Sequence, residues 1–109
     1  MDWVHDLAYV FAGAFLTNAV PHLVSGLTGR PFQSPFAKPP GKGLSSSTVN
    51  FLWGFFNLAV GYALIAFVGT FDPRSAPQIV AVALGSLPIG LFAASTFGKL
   101  HGGQAPEQK

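Results

Sequence analysis

His22 is the residue in this chain best placed to do chemistry. It sits inside an apolar stretch running from about Leu7 to Leu27, and an ionisable group in such a stretch is a functional candidate by default. A neutral imidazole nitrogen can ligate a metal or a haem iron. A bis-histidine haem needs a second histidine at matching depth. His5 lies on the same expected helix, about 25 Å away, and His101 falls beyond the last apolar stretch, in water. Haem binding through His22 would therefore need two copies of the chain. A quinone or lipid slot among the aromatic side chains is the other cofactor reading. Neither a resident cofactor nor a metal site is the leading expectation.

Other chemistries find less support. The chain has no cysteine, which removes disulfides, thiolate metal sites, c-type haem attachment and cysteine nucleophiles. Its four acids, Asp2, Asp6, Asp72 and Glu107, lie at or outside the edges of the apolar stretches, and no two form an evident general acid/base pair. Pro40-Gly41-Lys42-Gly43-Leu44-Ser45 looks like a phosphate loop but lacks the G-x-x-x-x-G-K-[ST] spacing and a preceding strand. Ser45, Ser46 and Ser47 are better explained as helix caps. We expect no enzymatic activity.

The remaining candidates are amides and small residues. Asn50, Gly54, Asn57 and Gly61 follow i, i+4, i+7, i+11 and share one helical face. Phe51, Leu52, Phe55, Leu58 and Tyr62 lie opposite. Ala14, Asn18, His22 and Ser25 make a similar stripe in the first stretch. In an antiparallel pair, residues at equal depth have a constant sum. One register places Asn18 beside Asn57, His22 beside Trp53 and Ser25 beside Asn50, with Ser86 near the Asn18–Asn57 layer. An amide facing lipid is unsatisfied, whereas one facing a helix can hydrogen-bond. The two stripes are expected to face each other or a symmetry mate. Gly54, Gly61, Gly85 and Gly90 are the expected close-packing positions.

The elements that must position these residues are transmembrane helices. Half the residues are hydrophobic and 9% are charged, against roughly 25% charged in soluble domains, and mean hydropathy is +0.44. Val49–Val68 has no charge and no proline and spans about 30 Å, the thickness of a bilayer's hydrocarbon core; the rest of the chain is read as arranged around it. We expect an all-α membrane protein with transmembrane helices over about 7–27, 48–68 and 78–97. Pro21 and Pro88 should bend the first and third. The N-terminal MDWVHD has two acids and no base, unlike a secretory signal, and Trp3 suits the membrane edge.

Residues 28–46 form a basic loop with four prolines and three glycines, expected to be extended or turned rather than helical. Phe32 and Phe36 can anchor it at the membrane surface, and Arg30, Lys38 and Lys42 can meet headgroups. The helices and this loop make one domain, 1–98, followed by a flexible polar tail, 99–109. Loop 28–46 carries three bases and the tail carries Lys99 and Lys109, while the N-terminus has none and the second connection only Arg74. The positive-inside rule puts the N-terminus outside and the C-terminus in the cytoplasm. The same placement of bases argues for lipid and against nucleic acid as partner.

Three spans in about 100 residues, with a Pro-Gln pair at Pro77-Gln78, resemble the bacterial half-transporters related to the sugar-transporting SWEET proteins, which assemble as dimers of three-helix units. That family carries its Pro-Gln in the first helix and this chain opens its third with it, so no binding site is carried over. From the residues, the leading expectation is a small accessory or scaffolding subunit of a homo-oligomer or larger complex, in a bacterial cytoplasmic membrane in preference to an organellar one. The alternative is a minimal homo-oligomeric transporter or channel with a path lined by Asn18, His22, Asn50 and Asn57.

Overall fold

The computed structural model describes residues 2–104. Three helices, α1 (Trp3–Leu27), α2 (Ser47–Ala66) and α3 (Ala76–His101), are joined by a loop that contains two short strands, β1 (Phe32–Gln33) and β2 (Leu44–Ser45). All three helices are long and apolar enough to cross a membrane, as in a multi-pass membrane protein.

Caps set the helix ends. Asp2 accepts the Val4 N–H at 2.9 Å and starts α1 four residues before Leu7. Of the three candidate serines it is Ser46 that caps α2, accepting the Val49 N–H at 3.2 Å. α2 closes at Ala66, because the chain turns at Gly69, whose φ of 61° is open to glycine at little cost. Ser75 caps α3 with Pro77 in its first turn, where the missing N–H has no helical partner to lose. α3 runs on to His101 and ends at Gly102 with φ 80°. The expected tail boundary at 99 is thus corrected: Lys99, Leu100 and His101 are helical, and residues 105–109 lie outside the described residues. Pro21 and Pro88 sit inside continuous helices.

The organising element is α1, not α2. α1 packs against both other helices, which make little or no contact with one another. Small residues on two faces of α1 allow this. Toward α3, a Cβ on Gly13 would run into the Val82 carbonyl, and one on Gly85 would run into the Val10 carbonyl, so the two backbones nest reciprocally. Toward α2, a Cβ on Gly54 would sit 2.8 Å from Leu23 N, one on Gly61 2.6 Å from Leu16 Cγ, and one on Gly26 2.6 Å from Phe51 N. Gly90 differs from the expectation: a Cβ there would meet only Thr17 Cγ2 at an ordinary 3.7 Å. It is not a close-packing position, whereas Gly13 and Gly26 are.

Loop 28–46 is a folded cap and not an open linker. Phe32 pairs with Ser45 and Gln33 with Leu44 in an antiparallel ribbon. Ser34 Oγ and Ser45 Oγ bond across it at 2.6 Å, and the Ser34 carbonyl accepts the Gly41 N–H at 2.9 Å. Gln33, Ser34 and Ala37 are buried. At the opposite end, Tyr9 is fully buried and donates its hydroxyl to the Val68 carbonyl at 2.7 Å, with its ring edge-on to Phe71.

Candidate functional site: a capped cavity at the loop end of the bundle

The buried residues of α2 are Asn50, Gly54, Asn57 and Gly61, all turned to α1. Asn18 Nδ2 donates to Asn57 Oδ1 at 3.1 Å, and Asn57 Nδ2 donates to the Trp53 carbonyl at 2.8 Å. Ser86 is not in this pair. It bonds Thr17, the neighbour of Asn18 on α1. Successive helix residues point about 100° apart, so Thr17 and Asn18 divide their polar contacts between α3 and α2.

Nearer the loop, the helix register is unchanged, but the side-chain pairing steps by one turn. His22 bonds Asn50, Nδ1 to Oδ1 at 2.7 Å, while its ring lies 6.4 Å from that of Trp53. Asn50 is fully buried and its Nδ2 faces three carbonyls, those of Phe32 at 3.0 Å, Ser45 at 3.2 Å and Ser46 at 3.1 Å. Three acceptors around one atom identify it as the amide nitrogen, so Oδ1 must accept from His22. The imidazole therefore carries its proton on Nδ1, and in the neutral ring Nε2 is an acceptor. Ser25 lies at the level of Asn50, as the Gly26–Phe51 approach shows, but does not bond it; its carbonyl accepts the Arg30 N–H at 2.8 Å and closes α1.

Phe32 turns inward instead of anchoring at the surface. Its ring is edge-on to His22 at 5.6 Å and to Phe97 at 4.7 Å, and stacks on His101 at 5.5 Å. His101, expected free in water, bonds Gln33 Oε1 through Nε2 at 2.8 Å and so ties α3 to the loop. Phe36 is exposed and lies edge-on to Trp53 at 5.2 Å. Arg30, Lys38 and Lys42 are all exposed.

Between loop and helices lies a cavity of about 330 Å³. Its polar lining is Asn18, His22, Gln33 and Ser34. Trp53, Phe97, Pro35 and Pro40 supply most of the rest. A second hollow, of about 300 Å³, shares Asn18 and Trp53 with it and is lined also by Asn57 and Ile89. Among the described residues, no fully enclosed side-chain nitrogen or oxygen lacks a partner. Nε2 of His22 makes no hydrogen bond to any described residue, so it opens onto this cavity. Among the described residues no three His, Cys, Asp or Glu side chains gather as metal ligands. The arrangement offers hydrogen-bond recognition in an aromatic-walled space, with no acid and no nucleophile–base pair lining it.

Compared with family models, curated proteins and solved structures, the chain has no match. The Pro77-Gln78 pair has a local role here: Gln78 Oε1 accepts the Asp72 N–H at 2.6 Å and closes the turn before α3.

The histidine partner, the loop cap and the cavity were not read from the sequence. The available signal was Pro/Gly-rich spacing around Phe32 to Ser34, which marks turns but does not say what they fold onto.

Proposed function

We propose that the chain is a non-enzymatic accessory or scaffolding subunit of a bacterial cytoplasmic membrane, packed into a homo-oligomer or a larger complex. The observation that carries this is the exposure of α3. Only Ala81 and Gly85 of that helix are buried in the chain, while Leu84, Leu87, Leu91 and Phe92 face outward. A span so little covered by its own chain leaves a broad apolar face for a neighbouring helix or lipid. The polar side chains Thr17, Asn18, His22, Asn50, Asn57 and Ser86 are paired within the chain, which is how register is usually fixed inside a membrane.

In this reading the loop carrying Arg30, Lys38 and Lys42 faces the cytoplasm and anionic headgroups, and the N-terminus and the 67–75 turn face outside. Mild-detergent purification and mass measurement of the intact assembly test it. We expect a mass of several copies, or of this chain with a larger partner. A lone 11.4 kDa chain at concentrations where it folds would contradict it.

A second reading, a minimal transporter, is favoured by the second hollow, which shares Asn18 and Trp53 with the cavity and lies against Asn57. It expects solute flux in liposomes from this polypeptide alone, abolished by Asn57→Leu with assembly intact. Normal flux in that variant would remove the reading.

A further inference from the structure

We propose that the cavity under the 28–46 cap binds an uncharged aromatic hydroxyl, the group carried by phenols and by quinol headgroups. His22 is 98% buried, with 2% of its surface exposed, yet Nε2 has no partner among the described residues and faces the cavity. The Asn50 network holds the proton on Nδ1, so Nε2 presents a lone pair and calls for a donor. Asn18 commits Nδ2 to Asn57, which leaves Oδ1 as a second acceptor on the same wall. Gln33 commits Oε1 to His101, which leaves its amide N–H groups as donors. A hydroxyl answers both demands, giving its proton to His22 and accepting from Gln33.

Charge and wall composition narrow the class. Asp2, Asp6 and Asp72 lie at the far end of the bundle, and Arg30, Lys38 and Lys42 are exposed and do not line the cavity. A charged ligand would find no counter-ion among the lining residues to offset the water it gives up there. A sugar brings many hydroxyls, and most would face Trp53, Phe97 and prolines unpaired. One aromatic ring with one or two hydroxyls matches the few polar groups present and packs on those rings.

The test uses the full chain in mild detergent with Trp3→Phe, which leaves Trp53 as the remaining tryptophan of two. Its fluorescence is titrated with 4-ethylphenol, with 4-ethylanisole, and anaerobically with a short-tailed benzohydroquinone. The anisole keeps the ring, the ethyl group and the oxygen, and carries a methyl group in place of the proton. We expect saturable quenching by a hydroxylated probe, at least about tenfold tighter than by the anisole. Tighter binding of the hydroquinone points to a membrane quinol as source, and tighter binding of the phenol to a soluble phenol; either supports the site. His22→Phe should abolish the preference. Since it also removes the Asn50 bond, Gln33→Met serves as the second variant: it leaves the Asn50 network in place and should weaken the hydroxylated probe several-fold. Equal affinity for phenol and anisole, or no saturable quenching by either hydroxylated probe in folded protein, would overturn the proposal.

Discussion

Asn50 joins three segments through one amide. It ties the start of α2 to His22 on α1 and to the carbonyls of both strands of the cap. Replacing it with Leu leaves the His22 Nδ1–H without its partner and takes the amide donor away from those carbonyls, at on the order of 1–3 kcal/mol per buried group left unpaired. Asn50→Leu should therefore lower the thermal midpoint in detergent and remove hydrogen-exchange protection from backbone amides in the 28–46 loop. Asn57→Leu breaks one interhelical bond, worth about 0.6–2 kcal/mol, and should leave loop protection intact. Equal loss of loop protection in both variants would contradict this division. The polar face of α2 was legible in the sequence, because helical phase alone lines up Asn50, Gly54, Asn57 and Gly61. The partner of Asn50 was not. Depth counting compares Cα levels, whereas the imidazole reaches along the helix to the next turn and the cap folds in to take the amide protons.

At the scale of elements, the three helices follow from their apolar runs and caps, but their order of importance does not. α2 has the longest uninterrupted apolar run, which suggested the centre. Hydropathy reports affinity for lipid, however, and the helix at the centre of a small bundle is the one least in contact with lipid. α1 is the least apolar of the three and the most buried, while α3 is the most apolar and the least buried. What makes α1 central is small residues on two faces. Glycines can be ranked only once the neighbour is known. Gly85→Ala pushes a methyl into the backbone of α1 and should destabilise by about 1–3 kcal/mol. Gly90→Ala meets only ordinary contact and should be neutral, or stabilising by up to about 1 kcal/mol through helix propensity. Thermal unfolding of the two variants in one detergent decides the point, and an equal loss in both would contradict the packing described.

For the whole molecule, the ends of the bundle are built differently. A folded basic cap closes one end, and the Tyr9–Val68 bond with a short turn closes the other. Because the chain has no cysteine, single substitutions report sidedness cleanly. In oriented cells, Lys42→Cys should resist an impermeant thiol reagent until the membrane is opened, and Asp72→Cys should react at once; the reverse pattern would invert the assigned orientation. That orientation is proposed from the distribution of Lys and Arg alone, while loop composition hid the cap, since Pro and Gly announce turns without naming their partners. The central claim is that the asparagine seam closes within one chain, through the Asn18–Asn57 bond. The direct measurement is oxidative cross-linking of the Asn18→Cys/Asn57→Cys double variant in membranes. The account predicts an intrachain disulfide in a monomer-sized band, with a yield unaffected by dilution in lipid. Covalent dimers that fade on dilution, with no intrachain product, would place the seam between copies and contradict it.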